Sequence, residues 1–182
     1  MREYVTRAVV LDKATRFDAD ARYSFFTERY GKIIAKAKSS RKIGSKLAGH
    51  LEPGTFAAVR IIEQRGTQVI DALKVARVDL PLADLSFLGH LLLEWEPDEA
   101  LWRELRARVA VGTPAALSAA VPAAVRFWPR TLAILGWDPE GAPCAACGRG
   151  GAGRFFVPRQ EFFCAPCAAT SRLPKNDLLL IS

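Results

Sequence analysis

Apolar and polar residues alternate over short stretches in the first 76 residues, which is the pattern of half-buried β-strands. Five segments rich in β-branched, aromatic and small apolar residues follow it: residues 5–11, 21–27, 31–38, 56–64 and 67–75. Turn-forming glycine, proline and aspartate lie between these segments. Five short strands predict a small barrel, of which the five-stranded, partly open OB-fold is one form and the SH3-like barrel another.

The apolar period changes to that of an α-helix after the fifth predicted strand. Leu85, Leu88, Leu92 and Trp95 recur at steps of three and four residues, and Asp84 precedes them as a capping residue. The pattern therefore predicts a first helix that begins near Asp84.

Two further helices are predicted. One covers about residues 98–111, in which Glu104 and Arg108 have the i, i+4 spacing that favours an ion pair. The other extends to about residue 135, and Pro122 and Pro129 start or kink it. The predicted core anchors are the four tryptophans, Trp95, Trp102, Trp128 and Trp137.

All four cysteines lie in one segment, as two C-x-x-C pairs separated by sixteen residues: Cys144, Cys147, Cys164 and Cys167. Two residues between cysteines let both sulfurs of a turn meet one ion, and two such turns complete a tetrahedral four-thiolate shell. The sequence between the pairs, "RFFVPRQEFF", predicts a hairpin whose aromatic side chains cover the site. The spacing predicts one structural Zn²⁺, and the competing interpretations are disulfides and redox-active C-x-x-C motifs.

The predicted fold class is therefore α+β. Residues 1–76 form an N-terminal five-stranded OB-fold β-barrel that binds nucleic acid. Residues 77–182 form a small α-helical domain that carries a four-cysteine, zinc-ribbon-like insertion at residues 144–167.

The charge of the chain is concentrated in the predicted barrel. The net charge of the whole chain is +7. Residues 1–76 hold fifteen Lys or Arg and eight Asp or Glu, whereas residues 77–182 hold eleven of each kind. Such asymmetry favours a polyanionic partner for the first segment, because neutralised phosphates release counterions. The alternative is that the excess charge serves solubility alone.

The basic residues are densest in residues 29–46, which contain seven Lys or Arg and no acidic residue. Alternation along the third predicted strand turns Ile33, Ala35 and Ala37 inward and places the lysines on the outer face with Ile34. A row of cations that leads into a basic loop suits a phosphate backbone and carries no code for reading bases. The predicted phosphate contacts are Arg29, Lys32, Lys36, Lys38, Arg41, Lys42 and Lys46.

Other classes of function find little support in the sequence. No apolar run approaches the roughly 20 residues that span a bilayer, and no secretory signal is recognisable, so a soluble intracellular protein is expected. We find no phosphate-binding loop and no Ser-His-Asp arrangement, and only His50 and His90 are available as histidine bases. A non-enzymatic protein is expected.

Two remote motifs resemble those of one protein family. "FFTERYGKIIAKAKSSRK", followed by "GHLEP", is similar to the N-terminal signature of RecO, the bacterial recombination mediator. "FWPRTLAILGWDPEGAPCAACG" and "FVPRQEFFCAPC" are similar to the family's later helix and its two zinc pairs. The resemblance covers most of residues 5–168. The helical middle is short and only fifteen residues follow Cys167, so a shortened member is expected.

The resemblance implies an OB-fold followed by a helical domain with a zinc site. It also implies binding of single- and double-stranded DNA, annealing of complementary strands and assistance in loading RecA onto gaps coated with single-stranded-DNA-binding protein (SSB). The implied partners are the SSB C-terminal tail and RecR, in the bacterial cytoplasm and at the nucleoid. Two alternatives stay open from the residues alone: an RNA- or ribosome-associated protein, and a transcription-type zinc-ribbon adaptor.

Overall fold

The computed structural model of the chain describes residues 1–15, 20–38, 47–110 and 123–181. Its strands are β1 (Arg2–Thr15), β2 (Ala21–Thr27), β3 (Gly31–Ala37), β4 (Thr55–Glu63), β5 (Thr67–Val78), β6 (Val109–Ala110), β7 (Arg154–Phe156), β8 (Glu161–Phe163) and β9 (Leu178–Leu180). Its α-helices are α1 (Leu82–Leu91), α2 (Glu99–Arg106), α3 (Ala123–Ile134) and α4 (Ala165–Thr170). The mixed strand and helix content confirms the predicted α+β class.

The first five strands form one antiparallel sheet, extended by β6, in the order β3-β2-β1-β4-β5-β6. Alternate side chains from these strands meet on the inner face, because successive residues of a strand point to opposite sides. The largest buried residues of this core are Tyr23, Phe25, Ile33, Leu51 and Ile61. All five strands predicted from the alternation are present, within four residues at each end.

The barrel is not closed in the way that the sequence predicted. β3 and β5 pair at one position, Lys36 with Gln68, in parallel orientation. Nearer the N-terminus of β3, the segment that follows α1 occupies the strand edge. Glu94 forms a β-bridge with Lys32, and the Trp95 N–H donates to the Lys32 carbonyl at 2.9 Å. Since this segment occupies part of the edge that closure would need, the barrel is only partly closed between β3 and β5.

Helices α1 and α2 lie in the same compact unit as the sheet, Met1–Ser118. The Trp102 indole of α2 stacks on Phe56, with ring centroids 5.7 Å apart. Helix α2 starts as predicted, with the Asp98 carboxylate accepting the Leu101 N–H at 2.8 Å. It ends at Arg106 rather than near residue 111, because the next residues pair with β5 as strand β6.

The second compact unit, Ala119–Ser182, holds the cysteine segment. Helix α3 contains Pro129, as expected for the third helix. The predicted hairpin between the cysteine pairs is β7 and β8, and β9 adds a third strand beside β7. Phe156 and Phe163 are buried there in one cluster with Cys144, as predicted for the aromatic residues of the hairpin.

In the structure α1 and α2 belong to the same compact unit as the sheet. The sequence instead predicts a domain boundary after residue 76. That boundary stays a prediction about the independent behaviour of residues 1–76. Among the described helices, none has both the length and the apolar character needed to cross a membrane.

Candidate nucleic-acid interface and metal centre

The outer face of β2 and β3 carries the predicted cations. Ile33, Ala35 and Ala37 are buried, as the alternation required, while Lys36 and Lys38 are exposed. The antiparallel register places Arg22 of β2 directly opposite Lys36. Two like charges in this position disfavour the sheet unless something neutralises them.

These cations line a groove of about 920 Å³ at the open joint between β3 and β5. The groove-lining cations are Arg22, Lys36, Lys38 and Arg65. Among the described residues, none of the four takes part in an ion pair, and Glu94 is the one described carboxylate that lines the groove. Neutral polar and apolar lining comes from Ile34, Ala35, Ile62, Gln64, Gly66, Thr67 and Gln68. The surface is thus concave, cationic and partly apolar.

The tight β4–β5 turn brings Arg65 to this groove. Gly66 has φ 120°, a conformation that favours glycine, and Arg65 itself is left-handed with φ 52°. The Gln64 N–H donates to the Gly66 carbonyl at 3.0 Å and closes the turn. The sequence "QRG" therefore places a cation at the end of a hairpin that faces β3.

Two groove cations, Arg22 and Arg65, were missed in the sequence analysis. Arg22 was available from the hairpin register: strands 21–27 and 31–37 joined by a short turn put residue 22 opposite residue 36. Arg65 carried a weaker signal, because the pairing of β3 with β5 is a tertiary feature that local sequence does not specify.

The other residues predicted to contact phosphates do not line this groove among the described residues. Arg29 is exposed in the β2–β3 turn. The Lys32 ammonium donates to the carbonyls of Gly89 and Leu92, both at 2.8 Å, at the C-terminal end of α1. Carbonyls at a helix C-terminus attract a cation, so Lys32 fastens α1 to β3. Arg41, Lys42 and Lys46 lie outside the described residues.

The four cysteines meet in the second compact unit. Cys144 precedes a turn in which the Gly148 N–H donates to its carbonyl at 2.8 Å, and Cys164 immediately precedes helix α4, which contains Cys167. The four sulfur atoms lie within 4.8 Å of one another. Cys144 is buried, whereas Cys147 is exposed at the edge of the cluster.

This arrangement fits a tetrahedral metal ion. Metal–sulfur bonds of about 2.3 Å at tetrahedral angles put sulfurs about 3.8 Å apart. The Sγ atoms of Cys147 and Cys164 are 3.9 Å apart. None of the four cysteines is in a disulfide, a bond that would require a sulfur–sulfur distance near 2.05 Å. The four sulfurs can hold a metal ion.

The pKa values of two of the clustered thiols are shifted in opposite directions. Backbone N–H groups, first that of Cys164, donate to the Cys144 sulfur and lower the pKa of its thiol to about 6. Hydrogen bonding with the sulfurs of Cys164 and then Cys147 raises the pKa of the Cys167 thiol to about 12. Four sulfurs at these distances cannot all be thiolates without a cation among them, since like charges disfavour ionisation.

The chain is similar to proteins that carry the name DNA repair protein RecO. Residues 1–78 match the family described as "Recombination protein O N terminal". The DNA repair protein RecO of Roseiflexus sp. (strain RS-1) is 26% identical over an alignment of 184 positions, which covers 94% of this chain and 65% of that protein. The Myxococcus xanthus protein of the same name is 27% identical over 186 residues, covering 94% of this chain and 75% of the relative.

A third relative has higher identity over a shorter region. The DNA repair protein RecO of Bifidobacterium adolescentis is 31% identical over 157 residues, covering 80% of this chain and 64% of that protein. This chain thus spans between 64% and 75% of the length of these three relatives.

Proposed function

This chain belongs to the RecO family of DNA repair proteins, and on that premise we propose that it is a DNA-binding recombination mediator. Its proposed activity is to bind single- and double-stranded DNA, to anneal complementary strands and to assist RecA loading onto SSB-coated gaps. Residues 1–76 are the proposed DNA-binding domain, and residues 77–182 are the proposed helical domain.

The observation that supports this proposal best is the juxtaposition of Arg22 and Lys36 in the groove. The pair has no carboxylate partner among the described residues. A phosphate bound between the two side chains would offset their repulsion and release counterions from the DNA. Arg65 and Lys38 extend the cationic lining, so several successive phosphates can be accommodated.

The proposed role needs no covalent step. Annealing follows when the charge of two strands is neutralised and the strands are held side by side. Of the two histidines, His50 already serves the fold, because its Nδ1 accepts the backbone N–H of Lys74 at 3.1 Å.

The four-cysteine cluster is the proposed site of one structural Zn²⁺, held by Cys144, Cys147, Cys164 and Cys167. Zinc accepts four thiolates in tetrahedral geometry, and with four protein ligands it retains no position for water or substrate. Bound zinc would tie the turn after Cys144 to helix α4 and so stabilise the β7–β8 hairpin.

Replacing Cys164 with serine should remove the metal and loosen the second compact unit. The core around the cysteines is small, with Cys144, Phe156, Phe163 and Ala168 as its buried members, so we expect it to need the proposed metal for stability. Elemental analysis should give one zinc per wild-type chain and much less for the variant. Protease digestion should cut the variant faster within residues 144–167.

The control is Ser171→Ala, a change at an exposed residue close to the cysteines. A metal-free wild-type protein with four freely titrating thiols would contradict the proposal.

The proposed partners follow from the family. They are the C-terminal tail of SSB and RecR, with RecA acting downstream, in the bacterial cytoplasm at the nucleoid. The relatives' names state DNA repair, and these partners are an inference beyond them.

The proposed function predicts that the protein accelerates annealing of complementary strands already coated with SSB. The experiment mixes two coated oligonucleotides with the protein and follows duplex formation by fluorescence quenching between end labels. Lys36→Glu/Lys38→Glu is the matched loss variant, because both side chains are exposed in the groove. Equal annealing rates with and without the wild-type protein would refute the mediator role. Competition with RNA of equal length separates DNA binding from the RNA-binding alternative.

A further inference from the structure

Three aromatic side chains from distant parts of the sequence meet beside the groove. Tyr4 comes from β1, Tyr30 from the β2–β3 turn, and Trp95 from the segment after α1. The Tyr4 ring centroid lies 4.9 Å from that of Tyr30 and 5.2 Å from that of Trp95. The two tyrosines are half-buried against the sheet core, and Trp95 lies outside them with 38% of its surface exposed.

Trp95 is held in an unfavourable backbone conformation. Its φ of 64° is left-handed, a region that a bulky side chain enters only where surrounding contacts impose it. The contacts are present: its N–H donates to the Lys32 carbonyl, Glu94 bridges to Lys32, and the Lys32 ammonium holds the end of α1. Trp95 therefore has a fixed backbone position while 38% of its surface stays accessible to a ligand.

The aromatic cluster is linked to the cationic groove through Glu94 and strand β3. Glu94, the residue before Trp95, lines the groove, and β3 carries both the Trp95 anchor at Lys32 and the groove cation Lys36. Lys36 lies four residues after Lys32 along the strand, a distance of roughly 13 Å. About four nucleotides, or fewer in an extended strand, cover that length.

We propose that Trp95, supported by Tyr4 and Tyr30, is a stacking surface for an unpaired base of a strand whose phosphates lie in the groove. This inference rests on the proposed function and adds the form of the ligand: a single strand with exposed bases, rather than a duplex whose bases are stacked on each other. Aromatic side chains stack on any base, so the surface adds affinity without sequence preference. Alanine substitutions at such surfaces weaken binding by roughly fivefold to 150-fold.

The experiment compares two probes of about 16 nucleotides, an oligothymidylate and a strand of the same length that lacks bases. Wild-type protein should bind the oligothymidylate at least about fivefold more tightly than the baseless strand. Trp95→Ala should lose that preference while its affinity for the baseless strand stays unchanged. Trp95→Phe should retain most of it. Trp95→Gly removes the ring and suits the positive φ, so it tests the same loss if the alanine variant folds poorly.

The outcomes separate this inference from the proposed function. A wild-type protein that binds neither probe would remove the proposed function and the stacking surface with it. A wild-type protein that binds both probes equally, with no effect of Trp95→Ala, would overturn the stacking surface and leave the groove in place. Equal weakening of both probes by Trp95→Ala and Trp95→Gly would assign Trp95 to the fold, or to a protein partner, and would also overturn it.

Discussion

Exchanging Lys36 and Lys38 for glutamate should weaken binding of single-stranded DNA by about 100-fold. Each exposed ion pair contributes up to about 1 kcal/mol, so loss of two accounts for roughly 30-fold. The two new carboxylates would in addition repel phosphates in the groove, where Glu94 already supplies one negative charge. Equilibrium titration of a labelled strand at fixed salt measures the effect.

The matched control is Arg103→Glu/Arg106→Glu. Both arginines are exposed on α2, in the same compact unit, and the change in net charge is identical. We expect this control to bind nearly as well as the wild-type protein. Equal losses in the two double variants would mean that overall charge, rather than the groove, attracts DNA.

Replacing Gly31 with alanine should destabilise the first compact unit by about 3 kcal/mol, which combines a left-handed alanine with overpacking. Gly31 has φ 67°, and an added Cβ would overlap the backbone carbonyl of Glu96. That overlap cannot be relieved by a side-chain rotation, so the segment carrying Glu94 and Trp95 would have to leave the edge of β3. Thermal unfolding of the variant should show a midpoint lower by roughly 6–12 °C.

Gly49→Ala provides the comparison for this glycine. An added Cβ at Gly49 meets no atom within 4 Å, and its φ lies outside the left-handed region. The control should unfold close to the wild-type midpoint. If Gly31→Ala unfolded at the same temperature as Gly49→Ala, the close approach of residue 96 to β3 would be wrong.

Local patterns sufficed to predict the inner face of β3 and the meeting of the four cysteines. Burial of Ile33, Ala35 and Ala37 follows from two-residue alternation, which holds wherever one face of a strand meets a core. The cysteine cluster follows from two turns, each closed by neighbouring residues, that one hairpin brings together.

Features that depend on distant contacts were not predictable in this way. Lys32 shares its strand face with Lys36, yet its ammonium binds the end of α1, whose position only the folded chain fixes. The helical period was extended to Trp95, whereas α1 ends at Leu91 and Trp95 takes a left-handed conformation. Trp102 and Trp128 are buried as predicted, but Trp95 is exposed.

The partial opening of the barrel also depends on contacts between residues that are distant in the sequence. A sequence of five alternating segments predicts the strands, but closure depends on which segment occupies the edge of β3. Here residues 94 and 95 take that edge near Lys32, and β5 reaches it only at Lys36. The groove lined by Lys36 and Lys38 lies at this joint.

The salt dependence of single-strand binding tests the central claim, that the groove binds phosphates, most directly. With about five phosphates bound, the logarithm of the affinity should fall against the logarithm of the salt concentration with a slope near −3.5. Lys36→Ala, which removes one groove cation, should reduce the slope by about 0.7 and weaken all sequences alike. Arg103→Ala should leave the slope unchanged. A Lys36→Ala variant with the wild-type slope and affinity would contradict the account.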